Sequence, residues 1–215
     1  MSRLAVGSKH GELRFDDRDI GAVLEHRYYR SVDGAVSPGR ATARRATAGL
    51  AVHRLRAHHW RRWRELRLRA LAESPESFSS TYEENVRFSD ETWRERTRAF
   101  AAPAGDRAMF VAIDPARGVW IGCAGGYVDT DGTTNLISMW VAPEHRGRGF
   151  GRSLVEAVID WARAAGHDWL RLDVVRGRDS AVRLYSRLGF RPTGRSTPMP
   201  RDPNLVEDEM VLALN

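Results

Sequence analysis

Between Val141 and Leu154 the chain places glycines at alternate positions, Gly147, Gly149 and Gly151, with Phe150 among them and Arg146, Arg148 and Arg152 around them. Glycine has no Cβ, so successive amides can converge on one point. A helix starting directly after them adds roughly half a positive charge. Such an arrangement suits a pyrophosphate. Several phosphate loops share this chemistry. A P-loop needs Gly-Lys-Ser/Thr, which is absent here, and the dinucleotide fingerprint G-x-G-x-x-G sets its third glycine one residue later. Asp173, late in the next strand, would suit the ribose acid of that fingerprint, so the dinucleotide reading stays open on these residues. Against it, a dinucleotide fold puts this loop after its first strand. A glycine-rich turn that binds nothing is the plain alternative.

The elements that must position this loop can be read from periodicity. Leu50–Leu55 alternates like a strand, and His58–Ala72 carries Trp60, Trp63, Leu66 and Ala70 at helical spacing up to Pro75. Ser89, Asp90, Glu91 and Thr92 have the chemistry of a helix cap, predicting a second helix to about Ala101. Met109–Ile113, Val119–Val128 and Leu136–Val141 read as successive strands joined by turns at Asp114–Gly118 and Asp131–Gly132. That is a meander, and it precedes the loop. After it come a helix over Arg152–Ala165 (Leu154, Val158, Trp161, Ala162 and Ala165 on one stripe) and a strand over Trp169–Val175. A short helix capped by Asp179 or Ser180, with Ala181, Leu184, Tyr185 and Leu188 on one side, ends at Gly189. Phe190 opens an extended stretch, and Val206–Leu214 is the last strand.

Composition narrows the class. Of 215 residues, 42% are hydrophobic and 29% charged, the balance of a soluble globular chain rather than a disordered one. No uncharged apolar run approaches the ~18 residues that span a bilayer, and the first twenty residues contain no signal-peptide core. A cytoplasmic protein with no membrane association is expected. Cys123 is the only cysteine. That excludes an internal disulfide, and no metal site is expected. The net charge of +6 is local: residues 40–69 hold ten arginines against Glu65, so the rest sums to about −3. A nucleic-acid binder would be basic more uniformly, and nucleic acid is not the expected partner. Residues 1–48 lack sustained periodicity and are expected to form a mobile N-terminal arm, with a short helix around Asp19–Tyr29. Residues 49–215 are expected to be the single folded domain.

Arg146-Gly-Arg-Gly149-Phe-Gly151 resembles motif A of the GNAT superfamily of acetyl-CoA-dependent N-acyltransferases, Arg/Gln-x-x-Gly-x-Gly/Ala. The family's second signature, Asn-x-x-Ala-x-x-Leu-Tyr-x-x-x-Gly-Phe, is matched from Ala181 through Leu184, Tyr185, Gly189 and Phe190, with Arg178 at the asparagine position. The order of elements from Leu50 to Leu214 is similar too. The resemblance implies an α/β fold: a mixed sheet of six to seven strands flanked by about four helices. It implies acetyl-CoA as cosubstrate, an amine as acceptor, and direct transfer in a ternary complex, by a monomer or homodimer. The backbone of Met139, Trp140 and Val141 would pair with pantetheine, as an added strand does. The amides from Gly147 to Arg152 would hold the pyrophosphate. The strands Leu136–Val141 and Trp169–Val175 would splay apart to admit the thioester.

The same resemblance assigns Tyr185 as general acid or hydrogen-bond donor to the leaving thiolate, and Asp173 as a base. A phenol near pKa ~10 protonating a thiolate near ~8.5 is uphill by roughly 2 kcal/mol, which favours hydrogen-bond donation over full transfer. Arg178, which offers only donors where asparagine offers both, would reach a cofactor phosphate or solvent. Residues 73–95 carry a net charge of −5, and Glu207, Asp208 and Glu209 are acidic near the opposite wall. An acidic rim would draw a cationic amine, whether small molecule or protein; solvated helix faces would look the same. Trp93, Trp120 and Trp169 are expected in the core, Trp140 beside the cofactor groove, and Cys123 as a small buried residue. A non-catalytic sensor that keeps an acyl-CoA fold is the runner-up.

Overall fold

The computed structural model of the chain describes residues 51–103 and 105–214. The expected N-terminal arm and its helix around Asp19–Tyr29 lie outside the described residues. The elements run β1 (Ala51–Arg54), α1 (Trp60–Glu73), α2 (Tyr82–Val86), α3 (Asp90–Ala101), β2 (Arg107–Ile113), β3 (Trp120–Val128) and β4 (Thr134–Val141). They continue with α4 (Phe150–Ala164), β5 (Trp169–Val175), α5 (Asp179–Arg187), β6 (Arg191–Met199) and β7 (Asp202–Ala213). Seven strands form one sheet in the order β1-β2-β3-β4-β5-β7-β6.

Local chemistry accounts for most boundaries. Trp60, Trp63, Leu66, Ala70 and Leu71 form the buried face of α1, and the Ser74 amide closes it on Ala70 O at 3.0 Å before Pro75. Ser89 Oγ accepts the Thr92 amide at 3.1 Å and starts α3, whose buried face is Trp93, Thr97 and Phe100. The extra helix α2, absent from the sequence expectation, rests on a reciprocal cap: Thr81 Oγ1 accepts the Glu84 amide and Glu84 accepts the Thr81 amide. It raises the helix number from the expected four to five among the described residues. The β2–β3 turn closes through the Gly118 amide on Asp114 O at 2.8 Å.

Several expectations need correction. Trp169 is 58% exposed rather than in the core, because it shares the open face of β5 with Arg171 and Asp173, while Leu170, Leu172 and Val174 point into the core. Trp93 and Trp120 are buried as expected. The apolar stripe of α4 ends at Ala162, and Ala165 is an exposed cap residue. Neither Asp179 nor Ser180 caps α5; that place falls to Arg178, which makes no side-chain cap bond. The last strand begins at Asp202, four residues early, because it pairs with β6 back to Met199.

The feature that positions the site is the junction of β4 and β5. The sheet is antiparallel elsewhere; these two strands are parallel and share a single registered pair, Asn135 with Arg171. Beyond it they diverge. Ser138 sits at φ +54°, and the β3–β4 register shifts between Cys123 and Gly125, so β4 bends away from its neighbour.

Candidate active site

The diverging strands open a cleft of about 800 Å³. Its walls include Met139, Trp140 and Val141 from β4, Asp173 from β5, Tyr185 from α5 and Glu207 from β7. At its mouth stand Arg146, Gly147, Gly149, Gly151, Arg152 and Arg178. Of the residues picked out from sequence, only Arg148 and Phe150 present no surface to it. The Phe150 ring is buried edge-on to His145, and the Arg148 guanidinium lies 3.3 Å from His145 Nδ1.

The loop is built to leave amides free. Gly147 and Gly149 have φ of +73° and +90°, which L side chains resist. The first amide of α4 with a helical acceptor is that of Ser153, on Gly149 O at 3.1 Å. Among the described residues the amides from Gly147 to Arg152 have no acceptor within the chain. A Cβ at Gly151 would lie 2.9 Å from Met139 Cε and 3.3 Å from Leu184 Cδ2, so glycine lets α4 approach β4 and α5 there. An N-terminal turn with unclaimed amides fits a pyrophosphate.

The arginines are less available than their number suggests. Arg146 donates to Val141 O at 2.9 Å and to Glu73 Oε2 at 2.8 Å. Glu73 Oε2 also accepts from Trp140 Nε1 at 2.9 Å and from Ser74. Burial pushes this carboxyl's pKa up, but the hydrogen bonds from Ser74, Trp140 and Arg146 outweigh it and hold the group below its usual range. Arg152 pairs with Glu156 at 2.8 Å, and Arg178 with Glu76 at 2.5 Å.

The Tyr185 ring is 6% exposed and packs edge-on to Phe190 at 5.8 Å. Its hydroxyl has no hydrogen-bond partner among the described residues, yet it is not sealed off. Burial raises the phenol pKa well above its ordinary value, so the group stays a donor. Asp173 is exposed in area, but that area faces the concave cleft. Desolvation raises its pKa, with Glu209 adding to the rise and Arg171 and Arg195 opposing it. Glu207, noticed in the sequence only as acidity, is a second carboxylate in the same cleft. Desolvation and the neighbouring Asp173 push its pKa up to about 7. Its position follows from the β5–β7 register, which no local pattern reveals.

Most of the acidic rim is paired. Glu73 and Glu76 reach the cleft, but Arg146 and Arg178 offset them. Glu84 is a cap, Asp90 meets Arg64 at 3.4 Å, and Glu91 binds Arg94 and Arg98 at 3.1 Å. The arginine-rich stretch is similarly engaged: Arg61 stacks on Trp60, Arg67 bonds Ser80 and Arg69 meets Glu144. Cys123 is fully buried, its thiol donates to Ser138 O at 3.2 Å, and burial pushes its pKa up to about 12. Among the described residues no helix is long and apolar enough to cross a membrane, and no group of three His, Cys, Asp or Glu is placed to hold a metal ion.

Comparison with known proteins agrees with this geometry. The model of the acetyltransferase (GNAT) family matches residues 56–190. The chain belongs to that family. It is 31% identical over 131 residues to mycothiol acetyltransferase of Nocardiopsis dassonvillei, a stretch covering 60% of this chain and 38% of that protein. The chain thus spans well under half of that relative. The crystal structure of a GNAT-family acetyltransferase from Streptococcus pneumoniae superposes with a TM-score of 0.65 at 17% identity, covering 77% of this chain and 99% of the other. The structure of yncA from Salmonella typhimurium, solved with its cofactor acetyl-CoA, gives 0.58 at 21% identity over 78% and 95%. At these identities the two structures show the fold, a mixed seven-stranded GNAT sheet.

Proposed function

We propose that residues 49–215 form a catalytic domain that transfers an acetyl group from acetyl-CoA to a primary amine by direct attack in a ternary complex. The observation that carries this reading is the cleft itself. Its mouth presents free loop amides, its interior an unpartnered phenol and two unpartnered carboxylates. The amides of Gly147 to Arg152 would hold the pyrophosphate, helped by Arg152 and, once released from Glu76, by Arg178. The unpaired edge of β4 at Met139 and Trp140 would take pantetheine as an added strand, while the Val141 carbonyl already accepts from Arg146.

A lysine-type amine of pKa ~10.4 is only about a thousandth neutral at pH 7.4, a deficit of roughly 4 kcal/mol. The cleft carboxylates answer that deficit: they attract a cationic amine and accept its proton. The nitrogen lone pair then attacks the thioester carbonyl, and the C–S bond breaks with its electron pair leaving on sulfur. Tyr185 donates a hydrogen bond to that sulfur, and its raised pKa favours sharing the proton over surrendering it. Cys123, protonated and outside the cleft lining, supports transfer without an acyl-enzyme. A reaction drawing on acetyl-CoA suits a cytoplasmic protein.

Calorimetry with acetyl-CoA tests the reading. Micromolar binding by the wild type, lost in a Gly149→Asp, Gly151→Asp double variant, is expected, together with amine-dependent release of CoA thiol. A folded wild type that binds no acetyl-CoA overturns it. Binding without thiol release toward any amine would make the protein a sensor.

A further inference from the structure

Two carboxylates share one face of the cleft without a partner. In the β5–β7 ladder Asp173 stands opposite Glu209, and Val175 opposite Glu207, so Asp173 and Glu207 are diagonal neighbours on the same face. Such neighbours are about 7 to 8 Å apart at Cα, within reach of a shared small group. Neither carboxylate makes a hydrogen bond or ion pair among the described residues, whereas Asp208, on the opposite face, is held by Arg176 at 2.6 Å, and Glu209 by Arg195 at 2.9 Å. A half-buried carboxylate left without a donor in an otherwise paired strand is costly unless a ligand supplies one.

We infer that Glu207 is the base that takes the proton from the acceptor ammonium, and that Asp173, on the same face of the cleft, is its positioning partner and holds the ammonium beside it. The inference rests on the acetyl-transfer reading and divides the roles within it. Among the described residues, Asp173 on β5 is the charge that acts on Glu207. Glu209, opposite Asp173, is tied to Arg171 on β5 and to Arg195 on β6. Glu76 and Arg178 close the other end as a pair. Arg171 and Arg195 oppose the rise at Asp173, while among the described residues no cation opposes the rise at Glu207. Two carboxyls whose surroundings separate their acidities divide the work of holding charge and moving a proton.

The protons balance. R–NH3+ gives one proton to the Glu207 carboxylate, and the resulting R–NH2 forms the C–N bond to the acetyl carbon. The second proton, acidified once that nitrogen bonds to the tetrahedral carbon, ends on the departing sulfur as CoA–SH. Glu207 then returns its proton to solvent.

The test uses the full chain, acetyl-CoA and two probe amines, ethylamine and the much less basic trifluoroethylamine, which is largely neutral at pH 7.5. Glu207→Gln is expected to lower kcat/KM for ethylamine about 100-fold, to change that for trifluoroethylamine less than tenfold, and to leave acetyl-CoA affinity unchanged. Asp173→Asn is expected to move the acid limb of the ethylamine pH profile to lower pH, because removing its charge makes Glu207 a stronger acid. A wild type that binds no acetyl-CoA, or that releases no CoA thiol with any amine, these two included, sinks the acetyl-transfer reading and this inference with it. An active wild type whose Glu207→Gln variant loses both amines equally, or neither, overturns the inference alone. So does an acid limb that Asp173→Asn leaves in place.

Discussion

Glu73 and Arg146 meet at 2.8 Å across 73 positions of chain, and the same Glu73 oxygen receives the Trp140 indole. One carboxylate at the end of α1 therefore ties the phosphate loop to the strand that lines the cleft. The arginine that a motif reading places on the cofactor is here a clamp on the loop that would bind it.

Glu73→Ala is expected to weaken acetyl-CoA binding about tenfold, equivalent to ~1.4 kcal/mol, by loosening the loop. Because the Glu73 carboxyl sits below its usual range, its stabilisation is complete above the unfolded value of about 4.3 and is lost as pH falls through the lower folded value. Acid unfolding followed by circular dichroism should shift to higher pH in Glu73→Ala.

Gly149 caps α4 in the left-handed region at φ +90°. Gly149→Ala should cost about 1–2 kcal/mol of stability and turn loop amides away from the phosphates. A thermal melt with and without acetyl-CoA reads both effects. An unchanged ligand-induced rise in Tm would contradict the assignment of this loop.

Tyr185→Phe should reduce turnover by about 100-fold while leaving acetyl-CoA affinity and Tm almost unchanged, since the hydroxyl has no partner to lose. The raised phenol pKa adds a pH signature: turnover should show no alkaline fall attributable to Tyr185 below pH ~10.

Cys123 should resist iodoacetamide at pH 8 in the folded protein, because its thiol is buried and pushed up to about 12. Intact mass before and after treatment reads this directly. Cys123→Ala should retain turnover, and its loss would reopen the question of an acyl-enzyme.

What could be read from sequence was what is decided locally. The Arg146–Gly151 loop, the Ser89 cap and the hairpin turns at Gly118 and Gly132 each depend on a few neighbouring residues, and each falls where the spacing puts it. The Thr81–Glu84 capping box is equally local, but the five-residue helix it starts is too short to show a period. Trp169 and Glu207 were beyond such reasoning. Which face of β5 is open depends on what packs against the sheet, and Glu207 meets Asp173 only through the pairing of strands separated by a helix and a third strand. The acidity of residues 73–95 was visible, but its neutralisation by Arg64, Arg146 and Arg178 is a matter of long-range contact.

The lone Asn135–Arg171 pair between β4 and β5 has a mechanical meaning. The sheet divides into two antiparallel plates, β1–β4 and β5–β7, joined in register at that one point. A guest lying in the gap with its amides against the free edge of β4 would act as a splice across the fracture line. Loading the protein with acetyl-CoA would then merge two plates into one, and the energy of holding the ligand would also be the energy that resists shearing them apart.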